Sequence, residues 1–208
     1  TDFWIEDMRQ IFLIGLRFYT TGEWAYFGPD VVYTETQIPG ALQGLLVGGP
    51  LFLVAQPEAP YVLLNLLSFG ALSVLAWYIG RRCPGVPRWF LWVWMFSAPW
   101  TLGFSTEINN PSYTLTGAVL FFVGVFEIVP ALRIGVLSRR LAGALAGFGL
   151  LWVSQLHLSY VLLLVILAGA LYGSDKLQAL VDADFLVLPS RYESFGNAAA
   201  ESIASGTP

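Results

Sequence analysis

The chain has 208 residues, of which 56% are hydrophobic and only 12% charged, with a formal net charge of −4. Soluble domains carry about 25% charged residues, so this deficit and a mean hydropathy of +0.67 predict an integral membrane protein. The acidic balance excludes a basic nucleic-acid surface. A single Cys83 excludes an internal disulfide, and a single His157 excludes a histidine-based zinc site within one chain.

Residues 1–40 carry Asp2, Glu6, Asp7, Glu23, Asp30 and Glu35 beside Arg9 and Arg17, so they do not read as a span. Ile11, Ile14, Leu16 and Phe18 form a near-helical stripe, which predicts a short interfacial helix over Met8 to Tyr19. Gly22, Gly28-Pro29 and Pro39-Gly40 then punctuate a loop. Ala41 to Ala55 is apolar but short of the roughly 20 residues a span needs. It also contains Pro50, and so predicts a re-entrant or interfacial helix.

Spans are predicted over Tyr61–Gly80, Trp89–Phe104 and Tyr113–Pro130. Leu141 to Tyr172 holds no charge and only His157 as an ionisable group of that kind, and is too long for one span. It predicts a helical hairpin turning near Gln155-Leu156-His157. Arg81, Arg82 and Arg88 share one loop, and Arg133, Arg139 and Arg140 another. Two spans lie between these loops, so both face the same side, the cytoplasmic one by the positive-inside rule. Residues 1–40 and the Glu107-to-Pro111 loop then face outward, and the tail returns to the cytoplasm. The compartment expected is the plasma (inner) membrane.

Three polar positions near the spans have two readings each. Glu127 is functional, or it reaches the interface or pairs with Arg133. His157 is catalytic, or a hydrogen-bonded structural histidine. Asn109 and Asn110 touch a carrier phosphate, or form a cap or turn before Pro111-Ser112.

The tail changes character. Asp175–Val181 predicts a short polar helix, Asp184–Leu188 a buried strand, and Asn197–Ala204 a small-residue helix that Gly206 caps. Such a strand–turn–helix places ligands at the carboxyl end of the strand. The backbone N–H groups of Phe195, Gly196 and Asn197 suit a diphosphate or a sugar hydroxyl. Glu193 and Glu201 can each accept hydrogen bonds from sugar hydroxyls.

DADFLVLPSRYESFGNAAAESIASGTP closely resembles the C-terminal donor-binding domain of family-four GT-B retaining glycosyltransferases, over about Gly169 to Pro208. The resemblance implies that Glu193 contacts the donor sugar, that Glu201 binds the nucleotide ribose, and that the Phe195-Gly196-Asn197 turn donates to sugar and phosphate. An acceptor-binding Rossmann domain and an upstream Arg/Lys pair on the donor phosphates do not accompany it, and Arg191 is not at the matching place.

Residues 1–168 are similar to GT-C membrane glycosyltransferases, the enzymes related to protein mannosyltransferases and the aminoarabinose transferase of lipid A. The similarity rests on an acidic pair, an interfacial helix, Gly-Glu-Trp, a Tyr/Pro-rich stretch, a short apolar helix and repeated spans. It implies a polyprenyl-phosphate sugar donor on the outer face and a catalytic carboxylate in the first outward loop. Asp7 is the best match, with Glu6 next.

The expected fold is mainly α: a polytopic helical membrane protein with about five spans or hairpin helices over 1–168, and a short, truncated α/β (Rossmann-like) fragment over 169–208. The expected function is glycosyl transfer from a polyprenyl-phosphate-linked sugar, with the lipid bilayer and, at the tail, a nucleotide sugar as further partners. No cofactor is assigned, a divalent cation is left open, and no metal-ligating residue is named. Both chain ends are expected to be cut, and the two halves to meet near 168–173. The alternatives are an inactive chimeric or truncated membrane fragment, or a transporter-like protein. A transporter places ionisable groups at the midplane and often shows inverted repeats; here the acids cluster outside the spans and no repeat is seen.

Overall fold

The computed structural model describes residues 6–31, 36–38, 40–109, 111–130 and 132–181, with side chains placed within 8–170. It is mainly helical. The elements are α1 (Glu6–Thr21), β1 (Asp30–Val31), β2 (Thr36–Gln37), α2 (Leu42–Leu51), α3 (Ala59–Arg82), α4 (Arg88–Ser97), α5 (Pro99–Thr106), α6 (Thr114–Ile128), α7 (Arg139–Ser154) and α8 (Tyr160–Val181). The strands pair antiparallel, Asp30 opposite Gln37 and Val31 opposite Thr36. The chain divides into two compact units, Thr1–Tyr160 and Val161–Pro208.

Prolines set many of the helix limits. Pro60 lies in the first turn of α3, where its missing N–H costs nothing. The predicted span over Trp89–Phe104 is broken into α4 and α5. Ala98 before Pro99 is extended (φ −64°, ψ 126°), because a proline pushes its predecessor out of the helical region. Val129 before Pro130 ends α6 in the same way, at ψ 118°. Ser138 caps α7, its hydroxyl accepting from the Leu141 N–H at 3.3 Å.

The turn foreseen near Gln155 is present, separating α7 from α8. The separate polar helix expected over Asp175–Val181 is not: those residues continue α8. Gly173-Ser174 does not stop the helix, because strong formers (Leu177, Gln178, Ala179, Leu180) follow without a proline. The strand expected over 184–188 and the helix over 197–204 lie outside the described residues.

Two helix pairs pack at close range through glycine. In α6 and α7 the numbering runs in opposite directions. A Cβ on Gly124 would stand 2.5 Å from the Ala142 carbonyl oxygen, and one on Gly149 would stand 2.4 Å from that of Gly117. In α1 and α2 it runs in the same direction: a Cβ on Gly44 would meet the Ile14 side chain, and one on Gly48 the Gly15 carbonyl. Small residues that let backbones approach this closely are typical of helix contacts in lipid.

Ile11, Val47, Leu64, Ile108, Tyr113 and Leu156 form one buried cluster. It gathers α1, α2, the N-terminal part of α3, the 107–113 turn and the 155–157 turn at one end. Gln43 fastens that end, its Nε2 donating to the Asn109 carbonyl at 2.6 Å. At the other end, Arg82 donates to the Leu132 carbonyl at 2.5 Å, so the two arginine-bearing loops lie together. Among the described residues one helix, α3 with 24 residues, is long and apolar enough to cross a membrane.

Candidate functional site

The C-terminus of α1 builds a polar concavity. Gly22 adopts φ +71°, a left-handed conformation that glycine takes without strain, and its N–H closes the helix on the Phe18 carbonyl at 3.0 Å. The Thr21 hydroxyl donates back to the Arg17 carbonyl at 2.7 Å and accepts from the Glu23 N–H at 3.1 Å. This reversal brings Glu23 over Arg17. The guanidinium donates to Glu23 Oε2 from Nη2 at 2.6 Å and from Nε at 2.9 Å. Both side chains stay open to solvent, at 73% and 59% of their full area.

Beyond them, Trp24, Tyr26 and Phe27 are exposed rather than buried, at 57%, 76% and 58%. Phe18 holds the Trp24 ring edge-on at 5.9 Å between centroids. With Arg17, Glu23, Gly28 and Gln37 these rings line a cavity of about 550 Å³. That volume lies within the usual range for a small-molecule site. Apolar ring faces beside a paired cation and carboxylate suit a sugar ring bearing an anionic group: rings cover its C–H faces, and the guanidinium keeps Nη1, which Glu23 does not use, to donate to a phosphate oxygen.

A second carboxylate is fixed beside the cavity. Asp30 accepts from Gln37 Nε2 at 3.1 Å and from Gln10 Nε2 at 3.4 Å, and its own N–H donates to Gln10 Oε1 at 2.8 Å. The Asp30–Gln37 strand pairing supports this cradle. Glu6 and Asp7 lie in the first turn of α1, and Asp7 stands three positions before Gln10, about one helical turn away. Asp7 and Arg17 are ten positions apart, about 15 Å along the axis. The side chains of Glu6 and Asp7 are outside the described residues, as are Glu193, Phe195, Gly196, Asn197 and Glu201.

The other polar positions have hydrogen-bond partners within the chain. Glu127 is fully buried and does not pair with Arg133. It accepts from the Tyr78 hydroxyl at 3.0 Å and from the backbone N–H groups of Ile134 and Leu137 at 3.2 and 3.4 Å. It therefore ties the 132–137 loop to α3 and α6. Asn109 forms a turn, its Oδ1 accepting from the Ser112 hydroxyl at 2.5 Å and its N–H donating to the same oxygen at 2.9 Å. His157 Nδ1 accepts from the Ser159 N–H at 3.1 Å, and burial holds its pKa below the ordinary histidine value. Among the described residues no three His, Cys, Asp or Glu side chains converge as metal ligands.

Sequence reasoning placed acidic residues in this region but did not assign Arg17, Asp30 or the aromatic wall. The signal was the cluster Glu23-Trp24-Ala25-Tyr26-Phe27 directly after a glycine stop, since exposed aromatics in series are costly without a ligand. No family model, no curated protein and no solved structure matches this chain.

Proposed function

We propose that this chain is the membrane part of a glycosyltransferase of the GT-C kind, which takes a sugar from a polyprenyl-phosphate carrier at the cavity beside α1. The observation that carries this reading is the cavity itself: Arg17 and Glu23 facing three exposed aromatic rings, with Asp30 cradled at its edge. Arg17 meets the carrier phosphate, whose charge grows as the glycosidic C–O bond breaks. Trp24 and Tyr26 hold the sugar ring. A carboxylate near the N-terminal half of α1 removes the acceptor's proton.

Two carboxylates compete for that last role. Asp7, with Glu6 beside it, is the family's match; Asp30 is the one joined to the cavity through Gln37. Along α1, Asp7 lies about 15 Å from Arg17 and Gln10, which holds Asp30, about 10 Å, so the case for Asp30 rests on Gln37, which joins it to the cavity wall.

The membrane placement is polytopic: α3, the α4–α5 pair, α6 and α7 cross, with the arginine loops cytoplasmic. Many apolar side chains point outward, among them Leu66, Trp89, Trp94, Trp100 and Leu151. An apolar surface of that extent in water would be an aggregation liability. The glycine-mediated pairs fit the same environment. With 15 residues, α6 is about 22 Å long, less than the roughly 30 Å of a hydrocarbon core. Its flanking turns, or local thinning of the bilayer, complete the crossing. The tail's nucleotide-sugar motif stays with this reading as half a donor site on the cytoplasmic side.

The test is transfer of labelled hexose from a polyprenyl phosphate by the chain in liposomes. Arg17→Ala is expected to raise KM, and either Asp30→Asn or Asp7→Asn to abolish transfer with insertion intact. Loss in Asp30→Asn alone removes Asp7 from the site, and the converse removes Asp30. No transfer by the unaltered chain, or full activity in both variants, overturns the reading.

A further inference from the structure

Two apolar grooves flank one exposed loop at the start of α3, and both are lined by Gln56. One, of about 520 Å³, lies between α2 and α3 and includes Leu53, Val62 and Leu66. The other, of about 390 Å³, lies against α1 and includes Phe12, Leu16 and Tyr19. Leu53 is 88% exposed, an unusual position for a leucine in water. The first groove also holds Glu58, the residue that opens α3, whose side chain makes no capping hydrogen bond.

Glu58, Val62 and Leu66 follow at intervals of four, so they lie along one face of α3. From Glu58 to Leu66 is eight residues, about 12 Å of helix, against about 15 Å for half a hydrocarbon core. A polar and acidic divide at the membrane surface, with an apolar groove on each side, matches a lipid with one head and two tails. We infer that this site holds a diacyl phospholipid with a primary-amine head. Its ammonium donates to Glu58, its phosphate accepts from the Gln56 amide, and its tails occupy the two grooves. A choline head offers no N–H to the carboxylate, and an anionic head is repelled by it. A polyprenyl phosphate has one chain and an anionic head, and so fits neither the charge nor the pair of grooves. The inference rests on the membrane placement proposed above and not on sugar transfer.

The experiment uses the full chain in vesicles of equal parts dioleoyl phosphatidylethanolamine and dioleoyl phosphatidylcholine. The lipid retained after mild detergent extraction is measured by native mass spectrometry. The ethanolamine lipid is expected to be enriched up to about fivefold, the range of one solvent-exposed charge pair. Glu58→Gln should return retention to the bulk ratio. Val62→Trp, which fills one groove without touching the charge, should lower total retained lipid. Equal retention of the two lipids, or enrichment that survives Glu58→Gln, overturns the site, as does displacement by added polyprenyl phosphate. Release of the protein by alkaline carbonate would overturn the membrane placement, whereas firm insertion without enrichment would overturn the lipid site alone.

Discussion

Replacing Gly149 by alanine tests the α6–α7 contact most directly. The added Cβ would lie 2.4 Å from the Gly117 carbonyl oxygen and 2.5 Å from the Phe121 nitrogen. Ordinary contact begins at 3.4 Å, so the helices must part by about 1 Å, and both obstacles are backbone that cannot rotate away. Overpacking of this kind costs about 1–3 kcal/mol. The parting also strains the bond from Trp152 Nε1 to the Tyr113 carbonyl, 2.9 Å long, a bond of a kind that contributes about 1 kcal/mol. Against this, alanine gains roughly 0.8–1.0 kcal/mol of helix propensity over glycine. The net expectation is a loss of about 1–3 kcal/mol, or about 2–12 °C in melting temperature at 2–4 °C per kcal/mol. Gly147→Ala on the same helix is the control. Nothing lies within 4 Å of its new Cβ, so it keeps the propensity gain and should melt slightly higher. Thermal unfolding of both variants in one detergent decides the matter. Equal melting temperatures for the two would refute close backbone packing between α6 and α7.

Two further outcomes follow from buried polar groups. Glu127→Ala leaves the Tyr78 hydroxyl and the N–H groups of Ile134 and Leu137 without an acceptor, and should cost about 2–4 kcal/mol by chemical unfolding. Glu127→Gln, which keeps one acceptor oxygen, should cost less. His157 has a folded pKa below its unfolded value of about 6.5, so below that pH the unfolded state binds more protons. Stability should then fall as pH drops from 7 toward 5, and His157→Gln should flatten that slope in melts taken across the range.

Much of the fold was legible in the sequence because it depends on composition and local stereochemistry. Apolar runs, the short Ala41–Ala55 stretch and the turn at Gln155 were readable from hydropathy and breakers. The helix over Met8 to Tyr19 was equally plain. Where the reading erred, a local rule was underweighted. Pro99 divides the tryptophan-rich segment, and the strong formers after Ser174 carry α8 onward to Val181. The partners of Glu127 escaped because they come from two separate places: Tyr78 in α3 and the N–H groups of Ile134 and Leu137 in the loop after α6.

The candidate site was only half legible. Glycine stop, acid and aromatics were visible in Gly22-Glu23-Trp24, but the pairing of Arg17 with Glu23 needed the left-handed turn that folds the chain back. Asp30 became notable only when Gln10 and Gln37, from a helix and a strand, met on it. By itself the sequence determined the helical content and the places where apolar runs break, because these are sums over residues and short periods. Tertiary structure alone decided which carboxylate is held beside the aromatic wall and which glycines bear helix contacts. Those depend on distances between residues far apart in the chain, and no local pattern encodes them.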